Sequence, residues 1–141
     1  MQEFEPMTTI GDRLTQEHRE LDELLGRFLG AAHAGAEAAA REALVAFDEG
    51  LRRHTEWEEQ HVLPEPGGHR LAPADEEPET QRVARELRLE HVQIRELSGM
   101  MRRLVETEPD LEGARRLFPN LARRWDAHTT REEAELPRLS D

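Results

Sequence analysis

The chain contains no cysteine, no tyrosine and no lysine. Without cysteine it cannot hold a disulfide, a thiolate zinc site, an iron–sulfur cluster or a cysteine nucleophile. Aromatic residues make up only 4% of its 141 residues, and isoleucine occurs only at Ile10 and Ile94. Strands favour β-branched and aromatic side chains, so this shortage argues against a sheet-rich fold. No apolar run approaches the roughly 20 residues that span a bilayer, so no membrane association is expected. The first ten residues carry neither the basic stretch nor the apolar run of a secretory leader, and the expected location is the cytoplasm. Positive charge is also scarce. The 19 arginines face 31 acidic residues, and the net charge is −12. Nucleic-acid binding through a basic surface is therefore not expected.

What the chain has is helical periodicity. Residues 1–141 are expected to form a single domain, with four segments whose apolar residues recur at steps of three and four. The first covers about 9–33, with the stripe Ile10, Leu14, His18, Leu21, Leu25, Phe28, Ala32, and Thr8 or Thr9 can cap it. The second covers about 37–63, with Ala40, Leu44, Phe47, Leu51, His54, Glu58, His61, and Pro64 stops it. An irregular stretch, 64–78, follows. It holds Gly67, Gly68 and the acidic run Asp75, Glu76, Glu77. The third segment covers about 79–106, with Val83, Leu87, His91, Ile94, Leu97, Met101, Leu104. The fourth covers about 111–136, capped by Asp110, with Leu111, Ala114, Leu117, Leu121, His128 and Glu132 near its inner face. Pro119 is expected to kink or split this last helix, and Pro137 to end it. Four such helices with short turns predict an all-α fold, an antiparallel up-down-up-down four-helix bundle.

The stripes hold polar residues where a plain bundle holds leucine. His18, His54, His91 and His128 fall on the inner stripe of four different helices, and Glu58 and Glu132 each follow a histidine by four residues. Residues four apart share one helix face, so His54 with Glu58, and His128 with Glu132, aim two donors each at one place. One histidine on an apolar stripe is usually core or boundary. One per helix, in phase, with two glutamates, is not. Two facing carboxylates in a core repel each other, and a cation between them removes the cost. Imidazole and carboxylate suit iron, manganese or zinc. Six side chains are more than one tetrahedral zinc needs, and two carboxylates free to bridge argue for two ions, with iron leading. Buried neutral imidazoles must charge as pH falls, so the metal-free protein is expected to lose stability through the histidine range.

The pattern is also repeated. His54, Glu58, Glu59, Leu63, Pro64 recur as His128, Glu132, Glu133, Leu136, Pro137, with the ligand pair offset by 74; Glu17, His18, Leu21 recur as Glu90, His91, Ile94, offset by 73. The chain reads as two helical hairpins related by a pseudo-twofold axis, which sets His18, His54 and Glu58 opposite His91, His128 and Glu132.

This doubled HxxxEE…LP signature, each copy after a Glu-His on the preceding helix, resembles the hemerythrin-like, or HHE cation-binding, domain over roughly 10–137. The resemblance implies a non-haem diiron bundle that binds or reacts with dioxygen, peroxide or nitric oxide. The ligands it implies are His18, His54, Glu58, His91, His128 and Glu132, with the glutamates bridging. An iron-binding or iron-sensing module without turnover, and a metal-stabilised interaction bundle, are the alternatives, and zinc or manganese could take the place of iron. Oxygen-carrying hemerythrins have a fifth histidine one turn after the first on helix three, where this chain has Arg95. In register, Arg95 is expected to point toward the metals as a cation, favouring oxidation over reversible carriage. A ferritin-type oxidase does not fit, since that class uses Glu-x-x-His.

Neighbouring residues receive plainer readings. Glu59 and Glu133 read as solvated, or able to swing toward metal. Glu17 and Glu90 read as solvated, with an imidazole N–H as the alternative partner. Asp22 is an extra ligand candidate four after His18. Trp57 and Trp125 wall the core. His61 is either near the metals or a boundary residue.

Overall fold

A computed structural model describes residues 9–64, 77–108 and 110–139, so most of the stretch expected to be irregular, and Thr8 as a cap, lie outside the described residues. Four helices follow one another: α1 (Ile10–His33), α2 (Glu37–His61), α3 (Glu79–Glu106) and α4 (Leu111–Leu139). Each packs on its neighbours in sequence, and α4 closes the ring against α1. This is the all-α four-helix bundle that the periodicity predicts. None of the described helices is long and apolar enough to cross a membrane.

Local chemistry sets the helix ends. The Thr9 hydroxyl accepts from the Asp12 amide at 2.9 Å while the Asp12 carboxylate accepts from the Thr9 amide, a capping box that satisfies two otherwise unpaired donors. Gly35, at φ 72°, turns α1 into α2 in the left-handed conformation that glycine adopts most easily. Asp110 caps α4 by accepting from the Gly113 amide at 2.9 Å. A Cβ on Gly113 would sit within 2.8 Å of the Asp110 carboxyl carbon, so a larger residue there would make the capping side chain shift.

Two expectations for α4 change: the helix is not split at Pro119, and it does not end at Pro137 but runs on to Leu139. Pro119 is solvent-exposed, so the carbonyl it deprives of a partner can be hydrated. Pro137 falls in the last turn, where one lost amide bond does not stop three residues of helix.

The apolar core lies in two clusters. The larger includes Leu21, Leu25, Phe28, Phe47, Leu51, Ile94, Met101, Leu121 and Trp125; the smaller holds Leu14, Leu63, Val83, Ala84, Leu87 and Leu136. Along every helix, one cluster ends and the other begins at the polar residues of the stripe. The candidate ligands therefore form a layer between two apolar plugs, and burial of those plugs, about 1.5–3 kcal/mol per large side chain, holds the layer dry. The α2–α3 contact also buries Asp48, which accepts from the Ser98 hydroxyl at 2.7 Å and from Arg102 at 3.0 Å.

Candidate metal centre

All six stripe residues, His18, His54, Glu58, His91, His128 and Glu132, are at most 3% exposed. Their ligand atoms gather in two groups, each within 4.8 Å: His18, His54, Glu58 and Glu132 in one, Glu58, His91, His128 and Glu132 in the other. Each histidine brings Nε2 inward, and each glutamate belongs to both groups. Glu58 sets Oε2 at 2.9 Å from His54 Nε2 and Oε1 at 2.9 Å from His91 Nε2. Glu132 sets Oε1 at 2.9 Å from His18 Nε2, and Oε2 at 2.8 Å from His128 Nε2 and 3.0 Å from His91 Nε2. Both carboxylates thus span the two groups, one oxygen to each.

The four outer nitrogens are held by four further glutamates. Glu17 accepts from His54 Nδ1 at 2.6 Å, Glu59 from His91 at 2.7 Å, Glu90 from His128 at 2.6 Å and Glu133 from His18 at 2.8 Å. The order is cyclic: α1 holds the histidine of α2, α2 that of α3, α3 that of α4, and α4 that of α1. The solvated reading is therefore corrected for Glu59; Glu17 and Glu90 take the alternative partner, an imidazole N–H; and Glu133 holds His18 while staying exposed. Each lies beside a stripe residue, Glu17 and Glu90 before a histidine, Glu59 and Glu133 after a glutamate, and so faces the adjoining helix. The repetition of Glu-His and Glu-Glu in the sequence was the available signal.

This ring fixes the tautomer. An ionised carboxylate can only accept, so Nδ1 carries the hydrogen and the neutral ring turns its lone pair inward at Nε2. There it meets a carboxylate oxygen. Two acceptors at 2.8–3.0 Å require a proton or a cation between them. His54 Nε2, His128 Nε2 and both oxygens of Glu58 make no well-aligned hydrogen bond despite these short separations. They aim at a shared space instead of at one another, and two neighbouring groups of imidazole and carboxylate donors fit divalent metal ions.

With no metal, protons do this work. Burial alone would lower the His18 imidazole, but the Glu132 and Glu58 carboxylates override it and push it up to about 10. Burial is likewise outweighed at His91, by Glu132, Glu58 and Glu59, and at His128, by Glu132 and Glu90; both are raised. Glu132 and Glu58 are held below the ordinary carboxylate range, the imidazoles outweighing desolvation. The expectation of neutral imidazoles that charge with acid is thus reversed at His18, His91 and His128. The surrounding carboxylates favour the protonated form of these three rings in the metal-free core.

Arg95 stays outside both groups, correcting the expectation that it points toward the metals. Its Nη1 donates to the Thr55 hydroxyl at 2.9 Å and lies 3.4 Å from Glu59 Oε2. Asp22 is no ligand either; it accepts from Trp125 Nε1 at 2.7 Å. Trp125 is buried edge-on to His18, with ring centres 5.4 Å apart. Trp57 is half-buried beneath Arg13, whose guanidinium lies 4.0 Å over the ring. His61 is exposed at the end of α2, the boundary position.

Among known protein families, the model described as the hemerythrin HHE cation binding domain matches residues 9–139. No curated protein and no solved structure matches the chain.

Proposed function

The chain belongs to the hemerythrin HHE cation-binding domain family, and on that footing we propose that it is a single diiron domain that binds or reacts with dioxygen, peroxide or nitric oxide. In this reading His18 and His54 would hold one iron and His91 and His128 the other, with Glu58 and Glu132, which belong to both groups, available to both. The observation that carries it is the sharing of both glutamates between two groups of four ligand atoms. A single tetrahedral ion needs four donors, not six.

When bound, iron supplies a one-electron change at each ion and coordination positions for a small ligand. The protein's part is done by its own residues. The outer glutamates keep each ring in the tautomer that presents Nε2. Glu58 and Glu132 bring two negative charges into a buried layer that must accommodate two dications. The apolar plugs above and below keep bulk water from that layer.

The test is anaerobic loading with ferrous iron, then separate addition of dioxygen, hydrogen peroxide and nitric oxide, followed by visible absorption. A new band with at least one of the three is expected. A loaded protein whose spectrum none of them alters would contradict the proposal.

A further inference from the structure

The two halves of the centre match in their inner ligands and differ just outside them. Offsets of 73 from α1 to α3 and 74 from α2 to α4 superpose Glu17 on Glu90, His18 on His91, His54 on His128 and Glu59 on Glu133. The same offset of 73 superposes Asp22 on Arg95. One turn after His18 the chain has a carboxylate, and one turn after His91 it has a guanidinium.

Their contacts differ too. Arg95 lies 3.4 Å from Glu59 Oε2, the same oxygen that accepts from His91 Nδ1 at 2.7 Å. It draws charge from the atom that polarises the His91 ring. Asp22 takes the indole hydrogen of Trp125 and leaves its charge in place. Three outer glutamates have an arginine within reach: Arg13 at 2.8 Å from Glu17, Arg95 at 3.4 Å from Glu59 and Arg131 at 2.8 Å from Glu90. Among the described residues none stands beside Glu133. The half containing His91 and His128 thus has both outer carboxylates countered by arginine. The half containing His18 and His54 has one countered, and the extra charge of Asp22.

A hydrogen bond from Nδ1 to a carboxylate makes an imidazole a stronger donor, and a cation on that carboxylate weakens the effect. Negative charge nearby also favours a bound cation directly. Building on the diiron reading, we propose that the two metal positions are unequal by design of these outer residues: the His18/His54 position fills first, and Arg95 is the positioning residue that holds the His91/His128 position to weaker binding.

The experiment titrates the metal-free chain with cobalt(II) under nitrogen, following heat and the visible bands of the ion. Two steps are expected, separated by about tenfold or more, the scale on which such outer partners act. His18→Ala should remove the tighter step and His91→Ala the weaker one. Arg95→Met should tighten the second step about tenfold and draw the two together, while Arg95→Lys, which keeps the charge, preserves most of the separation. Asp22→Asn, which keeps an acceptor for Trp125, should loosen the first step. Two equal steps in the unaltered chain, loss of the weaker step in His18→Ala, or an unchanged separation in Arg95→Met would overturn the proposal while leaving the diiron reading intact. No uptake of metal by the unaltered chain overturns the diiron reading, and this inference with it.

Discussion

Glu17 of α1 accepts the Nδ1 hydrogen of His54 on α2 at 2.6 Å, while the residue after it, His18, is held in turn by Glu133 of α4 at 2.8 Å. Two adjacent residues therefore serve two different helices, one as an outer support and the other as an inward donor. Repeated around the bundle, this arrangement ties the aim of every histidine to the packing of two helices.

The first prediction concerns these supports. Glu17→Gln and Glu90→Gln keep the shape but lose the charge that orients and polarises the ring. Each should weaken metal affinity by roughly 10–100-fold without changing the number of ions held. Competition against a chelator of known affinity measures it. Glu20→Gln, on the exposed side of α1, is the control and should change nothing.

The second follows from the raised imidazoles. His18 stands at about 10 in the metal-free fold against an ordinary 6.5. A group raised on folding lends stability below its unfolded value and loses it as pH rises through the folded one. The metal-free protein should therefore melt progressively lower from about pH 6.5 toward pH 10. The lowered Glu58 and Glu132 act at the other end, and their contribution is lost as pH falls below the ordinary carboxylate range near 4.5. Metal must displace the ring protons, so the gap between loaded and metal-free melting temperatures should widen from pH 6 to pH 9. A gap that narrows over this interval contradicts the pairing of rings with carboxylates.

A third prediction lies away from the centre. Asp48 is buried and lowered below its ordinary range, with burial outweighed by Arg52, Ser98 and Arg102. Asp48→Ala strands the Ser98 hydroxyl, and should cost about 1–3 kcal/mol in denaturant unfolding. Metal stoichiometry should stay the same, since Asp48 belongs to neither ligand group.

The apolar plug offers a fourth. Leu87 is fully buried beside Leu14 and Leu136. Leu87→Ala should cost about 2–5 kcal/mol, part of it for the space left behind. It also opens a wet path to the ligand layer, so the loaded variant should surrender metal to chelator faster than the parent.

How far the centre could be read from sequence depends on which contacts are local. His54 with Glu58, and His128 with Glu132, are one turn apart on a single helix, so periodicity alone aligns them. The cyclic order of Glu17, Glu59, Glu90 and Glu133 depends on how neighbouring helices cross, and no single-helix pattern contains it. Arg95 illustrates the same limit. Its register was readable, but a long side chain goes where partners are, and Thr55 and Glu59 lie outside both ligand groups. Asp48 was hidden beside Phe47 in α2 because its partners Ser98 and Arg102 come from α3. Pro119 and Pro137 suggested breaks that exposure and a last-turn position made unnecessary.

The central claim is that six inward side chains hold two metal ions. The most direct measurement is elemental analysis of the chain after anaerobic reconstitution with iron and removal of loosely bound metal. The expected result is two irons per chain, fewer in His54→Ala and in Glu132→Ala, and two again in His33→Ala, whose histidine lies exposed at the end of α1. One iron or less in the unaltered chain would contradict the account.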